Sequence, residues 1–156
     1  MGDYSVGINA FGYEKDIAEL EKLCFSEPWS ENAVNEFLKY ENNRFLIAKC
    51  EKDGSFAGYI GFSQVLDELH IANIAVKPGH RRKGVADMLL DELSKTAKDG
   101  NISLLTLEVR RSNYPAIKLY EKHGYKAVGE RKDFYLNPKE DAVLMNLEIK
   151  TPERNN

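Results

Sequence analysis

At 156 residues the chain has the length of one ordinary domain, and 42% hydrophobic against 30% charged residues supplies enough apolar surface for a core while excluding a disordered chain. The net charge of −3 lacks the basic excess of a general nucleic-acid binder, and no apolar run approaches the length needed to span a membrane or resembles a signal peptide. Cys24 and Cys50 have neither metal-ligand nor redox spacing, which fits a reducing cytoplasm.

No repeat, low-complexity tract or linker interrupts the chain, so residues 1–150 are expected to form a single domain followed by a polar tail, 151–156. Val6, Ile8 and Ala10 alternate as a first strand would. Ile17, Leu20, Leu23 and Cys24 then mark one face of a helix. Pro28 sits in a bend, and Ser30 is a candidate N-cap for a second helix carrying Ala33, Val34, Phe37 and Leu38 at 3.6-residue spacing. Residues 45–48 and 57–65 read as an antiparallel pair joined through Lys52-Asp53-Gly54-Ser55, and 68–76 as the longest sheet element so far. A basic, glycine-containing loop opens a helix that ends near Asp99-Gly100, where Gly100 is expected to supply a left-handed cap. Residues 104–109 return as a strand, 114–123 form a helix with Pro115 in its first turn, and 126–135 and 141–149 are final strands. The strand-helix-strand alternation predicts a parallel crossover within a mixed α/β sheet.

The octet Gly79-His80-Arg81-Arg82-Lys83-Gly84-Val85-Ala86 is the most informative segment. A loop rich in glycine and cations that leads into a helix can cradle phosphate, because the first-turn amides lack partners and the helix dipole favours an anion there. Gly84 permits close backbone approach and Ala86 keeps the next contact small. Gly79 and Gly84 have the spacing of a nucleoside-triphosphate loop, but Val85-Ala86 stands where Lys-Ser/Thr must follow, and no G-x-G-x-x-G dinucleotide pattern is present. A solvated basic turn is the alternative.

Arg81-x-x-Gly84-x-Ala86 resembles the Q/R-x-x-G-x-G/A pyrophosphate loop of the GCN5-related N-acetyltransferases, which bind acetyl-CoA. The segment from Leu107-Glu108-Val109-Arg110 through Ser112-Asn113 and Ala116 to Leu119-Tyr120 and Gly124-Tyr125 is similar to the L-x-V-R-x-S-N-x-x-A-x-x-L-Y-x-x-x-G-F segment of the same family, in the same order and spacing. Glu27-Pro28-Trp29-Ser30, Tyr135 and Glu140-Asp141-Ala142 extend the likeness toward the branch that acetylates the N-terminal alanine of a ribosomal protein, the eighteenth of the small subunit. The resemblance implies the acyl-CoA N-acyltransferase fold: a central mixed, mostly antiparallel sheet flanked by helices, whose fourth and fifth strands splay apart to admit the coenzyme. It also implies that Ile74, Ala75 and Val76 offer backbone groups to the pantetheine arm, that residues 81–87 (Arg81, Arg82, Lys83, Gly84, Val85, Ala86 and Asp87) cradle the pyrophosphate, and that Asn113 bonds the coenzyme. Trp29 and Tyr135, with Phe134, would flank the acceptor.

Acetyl transfer from a thioester needs a neutral amine, a place for its proton and a proton for the departing sulfur. A peptide α-amine has a pKa of about 8 and is mostly protonated at neutral pH, so a carboxylate, directly or through water, is useful as a base. Glu108 is the candidate: Leu105, Leu107 and Val109 share one strand face and Glu108 occupies the other. Beside an apolar cleft its pKa is expected to be raised. The alternative is a surface glutamate paired with Arg110 or Arg131. Tyr120 is the candidate acid, since a phenol with a pKa of about 10 can protonate a leaving thiolate; its alternative is packing beside Ile117 and Leu119.

His70, His80 and His123 are scattered without metal or triad spacing, so surface or hydrogen-bonding roles are expected and no metal is called for. Cys24 is expected to pack in the core among its apolar helical neighbours. Asp87 stands where many relatives carry a base and is expected to repel phosphate while favouring the helix N-terminus. Three readings stay open: acetylation of a ribosomal protein's N-terminal peptide, without direct nucleic-acid or membrane contact; acetylation of lysine side chains or a small amine by the same fold; and a non-catalytic acyl-CoA-binding module. Retention of both Glu108 and Tyr120 speaks against the last.

Overall fold

A computed structural model describes residues 3–8 and 11–150. The elements run β1 (Tyr4–Ile8), α1 (Glu14–Cys24), α2 (Glu31–Leu38), β2 (Asn43–Cys50), β3 (Phe56–Val65), β4 (Glu68–Val76), a 3₁₀ turn (Pro78–His80), α3 (Val85–Asp99), β5 (Leu104–Arg110), α4 (Tyr114–Lys122), β6 (Lys126–Leu136) and β7 (Lys139–Glu148). One seven-stranded sheet has the order β1-β2-β3-β4-β5-β7-β6. Only β4 and β5 are parallel, and α3 makes the crossover between them.

Each sheet face buries a different helix pair. Ile17 and Leu20 of α1 and Val34 of α2 pack with Phe45, Ile47, Phe56, Tyr59 and Ala75 on one side. On the other, Leu89, Leu90, Leu93 and Ala97, one stripe of α3, meet Leu46, Ile60, Phe62, Leu69, Leu105 and Met145. The local signals for α2 hold: the Ser30 hydroxyl accepts from the Ala33 N–H at 3.1 Å.

Three expectations are corrected. In α1, Leu23 is 69% exposed and the charged Glu21 is fully buried in its stead, because the inward face runs 17-20-21-24 and not through 23. At the end of α3 the left-handed residue is Asn101, with φ of 57°, whereas Gly100 has φ of −92°. In β1, Tyr4 is buried but Ile8 lies half exposed at the sheet edge, and Ala10 falls outside the described residues.

Two irregularities in the sheet create the cavity. β4 and β5 pair only at Glu68, Leu69 and His70 against Leu104, Leu105 and Thr106, after which they part. Just beyond that point β4 bulges: Phe62 of β3 faces Ile71 and Gly61 faces Asn73, so Ala72 has no partner. The extra residue inverts the alternation, turning Ile74 and Val76 toward the α3 side and Asn73 and Ala75 toward α1.

Candidate active site

The parted strands enclose a cavity of about 580 Å³ that adjoins a second of about 550 Å³. Ile74, Ala75 and Val76 line both, as do Ala86, Asn113 and Ala116, so one channel runs from the start of α3 to the ends of β5 and β6.

At the α3 end, Gly84 caps the helix in a left-handed conformation, φ 79°, with no side chain capping the first turn. The earliest amide held by the α3 turn is that of Met88, bonded to the Gly84 carbonyl at 3.0 Å, which leaves the Val85, Ala86 and Asp87 N–H groups without backbone partners in residues that line the channel. A Cβ built on Gly84 meets nothing within 4 Å, so the space above the loop is open. Arg82 is also left-handed, with φ of 61°. The arrangement fits a pyrophosphate.

Arg82, Gly84, Val85, Ala86 and Asp87 line this end, while Lys83 lies outside the lining. Arg81 lines it too, but its guanidinium braces the fold, donating from Nε to the Val76 carbonyl at 3.0 Å and from Nη2 to the Cys24 sulfur at 3.3 Å. Cys24 packs against the α1-side core, as expected, and is half-buried where it also borders the channel; burial pushes its thiol pKa up, against the pull of Arg81. Asp87, expected to repel phosphate, has cationic and imidazole partners at the end of α4. Its carboxylate bonds His123 at 2.7 Å and Lys122 at 3.1 Å, and these partners, His123 foremost, hold its pKa below the usual range. Asn113 lines both cavities and caps α4, its side-chain oxygen accepting from the Ala116 N–H at 3.3 Å.

The other end gathers Glu108, Tyr120, Trp29, Phe134 and Tyr135 around the same cavity, as the sequence anticipates. What it does not anticipate is His70. Its Nε2 lies 2.6 Å from Oε2 of Glu108, and the Glu108 carboxyl is nearly buried while the imidazole is 44% exposed. That bond holds the Glu108 pKa below its ordinary value, overcoming the opposing effect of burial, so the expected upward shift is reversed. Neither proposed arginine pair forms. Arg110 instead binds Glu140 at 3.2 Å and the Pro138 carbonyl at 2.9 Å, and stacks over the Tyr135 ring at 4.3 Å. Tyr135, half-buried near Glu108, has its pKa pushed up to about 12.

Tyr120 is buried, edge-on to Tyr125, and desolvation raises its phenol above the ordinary value, so it stays protonated across the physiological range. Trp29 stacks obliquely on Phe37 with its ring centroid 5.0 Å away, which anchors it while one face borders the cavity. The Ser26 hydroxyl donates to the Asn137 carbonyl, joining the α1–α2 loop to the β6–β7 turn over this end.

His70 could have been found only from strand pairing. It faces Thr106, and Glu108 lies two residues on, on the same face of β5.

A strand pair opened beside a helix N-terminus whose first amides lack backbone partners, with the Glu108 carboxylate of β5 and the Tyr120 phenol of α4 on one cavity, is an arrangement suited to carrying an acyl donor to a nucleophile. The chain belongs to the acetyltransferase (GNAT) family, whose model matches residues 14–125, and it is an N-acetyltransferase. It is 34% identical over 132 residues to the [ribosomal protein bS18]-alanine N-acetyltransferase of Escherichia coli K12, covering 83% of this chain and 87% of that one. An N-alpha-acetyltransferase of Saccharolobus solfataricus is 39% identical over 142 residues, covering 83% of each. The crystal structure of the ribosomal-protein-S18-alanine N-acetyltransferase from Escherichia coli superposes with a TM-score of 0.88 over 97% of both chains, at 28% identity.

Proposed function

We propose that this enzyme transfers the acetyl group of acetyl-CoA to the α-amine of a protein N-terminus, the N-terminal alanine of ribosomal protein bS18 being the acceptor its relatives indicate. The observation that carries the reading is the Glu108–His70 pair at the end of the channel opposite the α3 loop. The pyrophosphate rests on the Val85 and Ala86 amides, the pantetheine arm runs along Ile74, Ala75 and Val76, and the thioester reaches Glu108 and Tyr120.

The acceptor enters beneath Trp29 and Tyr135. Glu108, directly or through water, takes the proton of the amine as its nitrogen bonds the thioester carbon; the C–S bond breaks and Tyr120 protonates the departing sulfur. A carboxylate with a depressed pKa is a weak base, and His70, reaching solvent, gives the proton a second stop and a way out. The α-amine, with a pKa of about 8 against about 10.4 for lysine, asks least of such a base. Among the described residues no helix is long and apolar enough to cross a membrane, and the free Cys24 and Cys50 suit the reducing cytoplasm where ribosomal proteins are made.

Incubation with acetyl-CoA and a basic peptide bearing a free N-terminal alanine, followed by tandem mass spectrometry, is expected to find the acetyl group on the α-amine. The same peptide with a blocked N-terminus is expected to stay unmodified at its lysines. Acetyl groups found mainly on lysines, or only on small amines, would replace the acceptor and leave the enzyme class intact.

A further inference from the structure

The structure assigns Glu21 the part of a positioning residue that sets the spacing between the two walls of the acceptor end, and so governs acceptor affinity in preference to coenzyme affinity. The assignment rests on the acceptor reading of the Trp29 end of the cavity.

Glu21 is the one charged residue among the described residues that is fully buried, and it forms no ion pair there. It does not border the cavity, so it is not itself a catalytic residue. Its carboxylate is instead shared between three donors from three elements. The Trp29 N–H donates to Oε1 at 3.1 Å, the Asn73 amide donates to Oε1 at 3.0 Å and lies 3.3 Å from Oε2, and the Tyr59 hydroxyl donates to Oε2. Burial pushes the carboxyl pKa up, and these same donors pull it down.

Two of the three partners are cavity walls. Trp29 belongs to the α1–α2 segment that flanks the acceptor, and Asn73 is the first residue after the β4 bulge, immediately before Ile74. Asn73 points toward α1 because Ala72 is looped out, which brings its amide to Glu21. One carboxylate thus holds the segment carrying Trp29 at a set distance from the strand that parts from β5. The two carboxyl oxygens take all three donors at once, and removing them leaves the Trp29 backbone N–H and the Asn73 amide without a buried acceptor, whereas the Tyr59 hydroxyl can turn to another partner. The α3 loop has no part in the network.

Tyr59 provides the internal control, since it bonds the same carboxylate and borders neither cavity. The test is steady-state kinetics on Glu21→Ala, Asn73→Ala and Tyr59→Phe, using whichever amine the wild type acetylates, with acetyl-CoA binding measured separately by calorimetry. Glu21→Ala and Asn73→Ala are expected to raise the acceptor KM on the order of tenfold while acetyl-CoA affinity stays within about twofold. Tyr59→Phe is expected to lower the melting temperature with the acceptor KM unchanged. If Glu21→Ala does not fold, Asn73→Ala against Tyr59→Phe carries the same contrast. Equal KM values across the three folded variants, or parallel losses of acceptor and coenzyme affinity, would overturn the assignment. Failure of the wild type to acetylate the peptide in the first place would instead count against the acceptor reading.

Discussion

The two ends of the channel are built differently. At the α3 end the candidate anion site comes from one short stretch: Arg82, Gly84, Val85, Ala86 and Asp87 lie in the loop and the first turn of the helix, whose backbone supplies the donors. The far end draws single residues from the α1–α2 segment, β4, β5, α4 and β6, and ties them with hydrogen bonds between distant segments, Ser26 to Asn137, His70 to Glu108 and Arg110 to Pro138. A diphosphate offers the same shape and charge to every member of a fold, so a local motif suffices for it. An acceptor differs from enzyme to enzyme, and a surface assembled from five elements can change at one without disturbing the others.

That contrast predicts that changes at one end leave the other intact. The largest expected effect is at Glu108. Glu108→Gln keeps the shape and removes the base, so kcat/KM should fall on the order of 10²–10⁴-fold with acetyl-CoA affinity unchanged, and the deficit should narrow as rising pH deprotonates more of the acceptor. The same variant tests the pairing with His70. The folded-state pKa of Glu108 is depressed, so its contribution to stability is present above the ordinary carboxylate value and is lost as pH falls through the lower folded value. Thermal melts are expected to show the wild-type advantage over Glu108→Gln at neutral pH shrinking below about pH 4. An advantage that persisted in acid would break the inferred pair.

Gly84→Val addresses the opposite end. Placing a β-branched residue at a φ of 79° costs on the order of 1–2 kcal/mol and puts a side chain into the open space above the loop. Acetyl-CoA affinity should drop by more than about tenfold by calorimetric titration, well beyond the modest loss of thermal stability, while the apparent KM for the acceptor at saturating coenzyme holds. Unchanged coenzyme affinity in the folded variant would remove the loop from the site.

His70→Gln is the subtlest change. Glutamine retains an N–H donor for Glu108 but cannot carry a proton onward. Turnover is expected to fall about tenfold, less than for Glu108→Gln, with both substrate affinities preserved and with partial rescue by added imidazole. Full activity would show that Glu108 alone, or with water, suffices.

Much of this molecule was legible in the chain itself. Residues 68–76 as a strand, Ser30 as a cap, the α3 stripe of Leu89, Leu90 and Leu93, and the loop at Gly84 follow from periodicity and capping chemistry, which act over a few consecutive residues. Glu108 and Tyr120 were legible through the family resemblance of the segment from Leu107 to Tyr125, and both border one cavity. The environment of each group was decided only in three dimensions. Glu21 looks like a surface glutamate until α1 is docked on β3 and β4, where its partners Tyr59 and Asn73 lie 38 and 52 residues away. Glu108 carries a depressed pKa because His70, also 38 residues distant, meets it across the last paired rung of β4 and β5. Arg81, Cys24 and Asp87 likewise have partners on other elements: Arg81 reaches the Cys24 sulfur, and Asp87 reaches His123 and Lys122. Secondary structure is set by short-range sterics and hydrogen bonding, whereas desolvation and charge pairing depend on which distant groups the sheet brings within a few ångströms.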